Sequence, residues 1–149
     1  MSLGDKLTKP PQREGVINDC VALIDAEVKG KGGLSGAAVK VGYGVVKTVK
    51  PRFVAEVVDG LLDEFVEKLT PFYEDWSKSA NGRSFGNYLS TRKDAASEAL
   101  LAVTDGRAKV SKNGSVKKMY EKMRPSAKRH VEEALPRLGD LVEQKAKAQ

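Results

Sequence analysis

The sequence predicts an all-α fold, a single-domain bundle of five to seven helices. Apolar residues recur at helical spacing along most of the chain, for example at Ile17, Ile24 and Val28. The strict alternation of apolar and polar residues that would favour β-strands is nearly absent. Prolines and glycines fall between the periodic stretches, at positions where they begin or end helices.

One domain is predicted to span residues 1–149. A chain of 149 residues buries roughly 70% of its unfolded surface, which is enough for a self-sufficient core. The composition, 40% hydrophobic and 31% charged, is typical of globular rather than disordered proteins. No repeat or long linker divides the chain, and we expect frayed termini at residues 1–9 and 145–149.

The first two helices are separated by a cluster of glycines. The first helix is expected to begin near Pro10–Pro11, because proline fits the first turn of a helix, and to end at Gly30–Gly33. The second then spans residues 36–50. It ends before Pro51, since α-helical backbone is disfavoured at the residue that precedes a proline.

Helix 36–50 is distinctive because it has almost no polar face. Only Lys40, Lys47 and Lys50 interrupt it, along one narrow edge. A helix that is apolar nearly all round is normally surrounded by other helices. Its glycines cost roughly 1 kcal/mol each relative to alanine, which is tolerable where neighbouring backbones approach closely. We therefore predict that this helix is the central and most enclosed one.

A third, long helix is predicted from Pro51, with apolar positions from Val54 to Trp76 and a kink or an end at Pro71. Residues 79–82 favour a loop. The apolar cluster Phe85–Leu89 predicts one or two further helical turns.

The last third of the chain is predicted to hold two or three helices. Thr91–Asp94 resembles a capping box that would begin a helix, and Asp105–Gly106 favours a turn or cap. Residues 107–124 are compatible with one helix or with two, because the Asn-Gly pair within them favours a break. Pro125 is expected to begin the last helix, which Pro136 would bend or split.

Several phrases of the sequence carry a family resemblance. They are Gly-Leu-Ser-Gly-Ala-Ala-Val-Lys (33–40) with Val-Lys-Pro (49–51), Ser-Phe-Gly-Asn-Tyr-Leu (84–89), Leu-Leu-Ala-Val-Thr-Asp (100–105) and Ala-Leu-Pro-Arg-Leu-Gly-Asp-Leu-Val (134–142). With them the chain, over roughly residues 5–145, resembles a family of small uncharacterised bacterial proteins, a domain of unknown function. The resemblance implies a single bacterial domain and no particular substrate or cofactor.

Candidates for catalysis are few, because the chain has one cysteine and one histidine. Cys20 occupies an apolar helical position, where a free cysteine behaves as a small hydrophobe, and we expect it to be buried and slow to react. His130 lies in a charged run and is expected to be solvated or paired with a carboxylate. Structural zinc normally takes four Cys or His ligands, so no metal or cofactor site is predicted.

Four carboxylates, Glu56, Asp59, Asp63 and Glu67, follow one face of the third helix. A di-metal site in a helical bundle would add Glu-x-x-His motifs, and none occurs, so we interpret the ladder as a solvated acidic face. Phosphate-binding glycine loops and nucleophile elbows are also missing. No catalytic residue is predicted.

Positive charge is concentrated between residues 107 and 130, where nine basic residues stand against Glu121, a net charge of +8. Residues 53–76 carry seven acids and one base, a net charge of −6. Either the two segments neutralise each other, or the basic one binds a polyanion. The predicted binding residues, all of them basic, are Lys109, Lys112, Lys117, Lys118, Lys122, Arg124, Lys128 and Arg129.

Three function classes remain open. A non-enzymatic helical interaction or structural protein leads, because it requires no motif. Binding of nucleic acid or an acidic protein through the basic segment 107–130 is the second class, and an enzyme of unrecognised type is the third. The lone cysteine, the missing signal sequence and the absence of about 20 consecutive apolar residues favour a cytoplasmic protein without a transmembrane segment. A homo-oligomer is possible.

Overall fold

The computed structural model describes residues 2–30, 33–79 and 82–147, and within these ranges the chain forms seven α-helices and no β-strand. The helices are α1 (Leu3–Leu7), α2 (Gln12–Gly30), α3 (Gly33–Val49), α4 (Phe53–Ser79), α5 (Phe85–Thr91), α6 (Lys93–Lys109) and α7 (Gly114–Lys147). The predicted all-α bundle of five to seven helices is confirmed. Parts of the predicted glycine turn and of the loop 79–82 lie outside the described residues.

One hydrophobic cluster joins the helices, and the two longest helices supply much of it. Its buried members include Leu62, Val66, Leu69 and Trp76 of α4 and Leu135, Val142 and Ala146 of α7. The short helix α5 adds Phe85, whose ring meets those of Tyr73 and Trp76 at centroid distances of 5.3 and 5.5 Å. These aromatic contacts connect α4 with α5 at one end of the bundle.

Helices α5 and α7 cross in backbone contact at two glycines. A Cβ atom on Gly139 would stand 2.3 Å from Cα of Gly86, and a Cβ atom on Gly86 would stand 2.3 Å from the carbonyl oxygen of Pro136. Atoms in folded proteins do not approach this closely, so both positions require glycine. The crossing leaves Phe85 and Leu89 with no exposed surface.

The prediction that helix 36–50 is central is wrong. Among the described elements α3 contacts only α2 and α4, and the side chains of Val41, Val45 and Val49 are 68%, 57% and 70% exposed. A Cβ atom on Gly42 or Gly44 would have no neighbour within 4 Å. The reason is that α1, α2, α5 and α6 each pack on both α4 and α7 and so close the core without α3.

The sequence predicts a kink or an end at Pro71, a start at Pro125 and a bend or a split at Pro136, but no helix ends, starts or splits at these prolines. Helix α4 continues through Pro71, and α7 is one helix of 34 residues that contains both Pro125 and Pro136. A proline inside a helix removes a hydrogen bond and is about 3 kcal/mol less favourable than alanine. Packing of α7 on α5 and α6 over most of its length offsets that cost.

Two predicted helix boundaries are also wrong. Helix α6 is preceded by Arg92, which makes no side-chain cap, and the Thr91 hydroxyl donates to a carbonyl of α5 instead of capping α6. Asp105–Gly106 lies inside α6. The break in the ambiguous region falls at residues 110–113, where the Asn113 side chain accepts from the Ser115 amide and caps α7.

The predicted fraying of residues 1–9 and 145–149 is wrong at α1 and at the end of α7, which are helical and carry buried apolar side chains. Ser2 and Asp5 form a capping box that begins α1. Leu3 and Leu7 of α1 are 4% and 1% exposed, and Ala146 near the other end is 2% exposed. Residues 1, 148 and 149 lie outside the described residues.

Candidate functional site

Helices α1, α2, α4, α6 and α7 surround an apolar cavity of about 340 Å³. Small-molecule sites typically span roughly 300–1,000 Å³, so the cavity is large enough for a ligand. Its wall is apolar except for the thiol of Cys20 and the hydroxyl of Thr104. The wall residues are Leu7; Val16, Cys20, Leu23 and Ile24; Val58, Leu62, Phe65, Val66 and Leu69; Leu100, Leu101 and Thr104; and Val131, Ala134, Leu138, Leu141 and Val142.

The cavity is open to solvent on one side. Some wall residues, such as Leu7 and Val16, are fully buried, whereas others, such as Leu23, Ile24 and Val131, are only half-buried. The exposed parts of these side chains show that the wall contacts solvent at these residues. A ligand could therefore enter without unfolding the bundle.

Cys20 is part of this wall. The predicted apolar setting is confirmed, although the residue is half-buried rather than buried because the cavity exposes one side of it. Burial, with a smaller effect of the neighbouring Asp19 carboxylate, raises the pKa of the Cys20 thiol to about 11. The thiol is therefore neutral at pH 7 and a weak nucleophile there.

Thr104 links the cavity to a polar network between α6 and α7. Its hydroxyl lies 2.7 Å from that of Tyr120, which donates to Asp105 at 2.5 Å. Arg124 donates to Asp105 at 2.8 Å and to Glu98 at 3.0 Å. Hydrogen bonds from Arg124 and Tyr120 hold the pKa of Asp105 below its usual value. The network fixes α7 against α6 beside the cavity.

The predicted basic residues lie on the end of α6, the 110–113 connection and the first half of α7. Two of the eight are engaged by α6: Arg124 as described, and Lys128, whose ammonium lies 2.5 Å from Asp94 and 3.2 Å from Glu98. Within the described ranges, the remaining six form no ion pair; they are Lys109, Lys112, Lys117, Lys118, Lys122 and Arg129.

The acidic helix α4 pairs mainly with arginines from outside the basic segment. Arg13 of α2 donates to both Asp59 and Asp63, at 2.9 and 3.1 Å. Over the described part of the chain, one ion pair joins α4 to the basic segment, Glu64 with Arg107 at 2.5 Å. Mutual neutralisation of the two segments is therefore slight.

The carboxylate ladder and the histidine are not gathered into one centre. No three His, Cys, Asp or Glu side chains converge on a metal position among the residues that the structure describes. His130 is half-buried, with Nδ1 at 3.5 Å from the Glu133 carboxylate, so it lies beside an acidic partner as predicted. Two members of the ladder, Asp59 and Asp63, hold Arg13 as described above.

Comparisons with known proteins give a family but no activity. The model of a family of unknown function, DUF6918, matches residues 3–146. No curated protein and no solved structure matches the chain. Over the described residues, no helix is long and apolar enough to cross a membrane.

Proposed function

The chain belongs to this family of unknown function, DUF6918, and we propose that it is a non-enzymatic binding protein that holds a small apolar molecule in the cavity lined by Cys20 and Thr104. The cavity carries the proposal. Its wall provides apolar contacts for a ligand and has almost no side chain that could take part in catalysis. A cytoplasmic location is part of the proposal and is supported by the free thiol of Cys20.

The exposed apolar wall of the cavity is the physical reason to expect an occupant. Because the cavity is open, solvent contacts this wall, and covering apolar surface stabilises a complex by roughly 25 cal/mol per Å². Water gains little in the cavity, because an ordered water needs two to four polar partners and the Thr104 hydroxyl already bonds within the protein.

The proposal is tested by titration with N-phenyl-1-naphthylamine, a neutral apolar dye that fluoresces when it leaves water. We expect saturable binding with one site per chain. Ala134→Phe places a ring inside the cavity and should weaken binding at least tenfold. Ala102→Phe adds the same ring on the exposed side of α6 and should bind the dye as the wild type does.

A second readout uses the thiol in the cavity wall. Bound dye should slow the labelling of Cys20 by a small maleimide. Leu23→Trp is a second cavity-filling variant, for use if Ala134→Phe does not fold, and it should also weaken dye binding. Dye binding that is unsaturable, or that survives both substitutions in folded protein, would refute the proposed function.

Binding of a polyanion through the basic segment is the second candidate function. The specific observation is that six of its cations form no ion pair within the described ranges, and three of them, Lys118, Lys122 and Arg129, lie along one exposed face of α7. Such a surface attracts nucleic acid without sequence preference, with affinity that falls steeply as salt rises.

Titration of mixed duplex and single-stranded oligonucleotides at low salt tests this candidate. We expect binding by the wild type and its loss when Lys117, Lys118 and Lys122 are changed to Glu. Equal binding by the charge-reversed variant would exclude the segment as the binding surface.

A further inference from the structure

The cavity is a gap between the two longest helices. Over the described residues, no Cα atom of α4 lies within 8 Å of a Cα atom of α7, so these helices do not pack directly on each other. Both line the cavity, α4 from Val58 to Leu69 and α7 from Val131 to Val142. The gap therefore follows from the arrangement of the whole bundle, in which α1, α2, α5 and α6 pack on both helices and hold them apart.

The volume of this gap limits the size of what it can hold. An engineered apolar cavity of about 150 Å³ binds one benzene molecule. In the same proportion, 340 Å³ accommodates roughly twelve to fourteen carbon atoms. A larger molecule would leave part of its apolar surface in water.

The wall is suited to an aliphatic molecule. Phe65 is the one aromatic residue among the wall residues that the structure describes. Aromatic ligands gain specific stabilisation from rings that stack on them or meet them edge to face, and a single Phe provides little of it. The leucine, isoleucine and valine side chains that form most of the wall make close contacts with any hydrocarbon, and a flexible chain can follow their uneven surface.

No charged side chain is among the wall residues that the structure describes. The thiol of Cys20 is neutral at pH 7, because burial raises its pKa. The hydroxyl of Thr104 lies 3.0 Å from the Leu101 carbonyl oxygen and 2.7 Å from the Tyr120 hydroxyl, so it is already hydrogen-bonded. A charged group inside the cavity would therefore be buried without a partner, which is strongly unfavourable.

The wall meets solvent mainly along α2 and α7. Three of the four wall residues of α2 and four of the five wall residues of α7 are half-buried, whereas most of those of α1, α4 and α6 are buried. A polar end group of a ligand would therefore reach water on the side of α2 and α7.

Two ion pairs join α2 to α7 along that side. Arg137 lies 2.7 Å from Glu27, and Lys145 lies 2.8 Å from Asp19. On α7 the two cations stand four residues before and four residues after the wall residue Leu141, so all three lie on one face of the helix. Because both cations are engaged by α2, an anionic end group would find neither of them free.

We propose that the occupant of the cavity is an uncharged aliphatic chain of roughly twelve to fourteen carbon atoms, of the class of long-chain alcohols and aldehydes. This inference rests on the proposed function, because it specifies the ligand of the same cavity. The carbon number follows from the volume, the aliphatic character from the wall, and the absence of charge from the engaged polar groups. The hydroxyl or carbonyl end of the chain lies in water on the side of α2 and α7.

A homologous series of 1-alkanols tests the carbon number. Each alcohol from hexan-1-ol to hexadecan-1-ol is used to displace N-phenyl-1-naphthylamine in a fluorescence titration, below its solubility limit. We expect the affinity to increase about fourfold with each added carbon atom, the effect of burying one CH₂ group, up to a limit of roughly thirteen carbon atoms. Beyond that limit the added carbon atoms stay in water, and the affinity should remain level.

A variant with a smaller cavity should lower this limit. Val58 lines the cavity, and Val58→Phe adds a side chain larger by about four carbon atoms, so the limit should fall to roughly nine. Val57→Phe is the matched control, because Val57 is the next residue of α4, is exposed and does not line the cavity, and its limit should equal that of the wild type. Val131→Phe, in the wall on α7, replaces Val58→Phe if that variant does not fold. Circular dichroism checks that every variant is folded.

Dodecanoate tests the absence of charge. It has the same number of carbon atoms as dodecan-1-ol but carries a carboxylate at pH 7, so it should bind at least tenfold more weakly. Affinity that levels off before decan-1-ol or still rises at hexadecan-1-ol, a limit that Val58→Phe and Val131→Phe leave unchanged, or dodecanoate that binds as tightly as dodecan-1-ol would overturn this inference while saturable dye binding still supports a binding cavity. Absence of saturable dye binding would instead refute the proposed function, and this inference with it.

Discussion

Glycine has opposite consequences at two positions of this protein. At Gly139 the backbone of α5 occupies the space that a side chain would need, whereas at Gly44 no atom lies within 4 Å of a Cβ. Gly139→Ala should therefore destabilise the protein by about 1–3 kcal/mol, because it forces α5 and α7 apart. Gly44→Ala should stabilise it by about 0.5–1 kcal/mol, because alanine favours an exposed helix.

Urea unfolding followed by tryptophan fluorescence measures both changes. Trp76 is the single tryptophan, is buried, and donates from its indole nitrogen to the Arg83 carbonyl at 2.8 Å, so its emission reports the core. A Gly139→Ala variant as stable as the wild type would show that α5 and α7 do not depend on backbone contact. A destabilising Gly44→Ala would show that α3 has close neighbours there.

At the level of elements, helical periodicity predicted what depends on local sequence. The short cluster Phe85–Leu89 became α5, and the apolar series from Val54 to Trp76 became α4. These predictions succeed because a buried face repeats with the period of the helix. Boundaries are less predictable, since Thr91 and Asp105 have side chains that can cap a helix but here bond elsewhere. Thr91 donates to the Tyr88 carbonyl, and Asp105 accepts from Tyr120 and Arg124.

The error at α3 has a definite physical origin. Composition shows that a helix favours an apolar environment, but it does not show which element or molecule provides that environment. A bundle core, a second protein and a lipid surface all satisfy Val41, Val45 and Val49 equally well.

The prolines of α7 are the opposite case, since their local preference against helix is real but is overridden by tertiary contacts. Arg124, immediately before Pro125, bonds to both Asp105 and Glu98 of α6. Around Pro136, Gly139 admits the backbone of α5. Tertiary contacts on both segments keep the helix continuous through positions at which an isolated peptide would break.

At the scale of the whole molecule, the cavity was out of reach of sequence reasoning. Its wall includes Ile24 and members of the apolar series from Val54 to Trp76, whose helical periodicity indicates buried positions. Whether facing helices interdigitate or leave a gap depends on their separation, which periodicity does not encode. The small residues Cys20 and Ala134 in the wall are the only sequence signal of a gap, and such residues are common in packed cores.

Charge also acts at this scale, because the ion pairs connect distant parts of the chain. Arg13 joins α2 to α4, and its hydrogen bonds lower the pKa of Asp63 in the folded protein. Arg124 joins α7 to α6 and lowers the pKa of Asp105. A carboxyl with a lowered folded pKa binds fewer protons than in the unfolded chain, so it contributes stability above its unfolded pKa, about 3.9 for Asp. That contribution disappears as the pH falls.

The free energy of unfolding should accordingly decrease as the pH is lowered from 5 to 3. Arg13→Gln should lose about 0.2–1 kcal/mol at pH 7, since Asp63 is well exposed and exposed pairs are weak. It should also flatten the acid limb, because Asp63 then titrates alike in the folded and unfolded chain. Arg129→Gln, which removes an exposed cation without an ion pair among the described residues, should keep the wild-type slope. Urea titrations at pH 7, 5, 4 and 3 measure this, and an unchanged acid limb in Arg13→Gln would mean that its carboxylate partners do not connect α2 to α4 in solution.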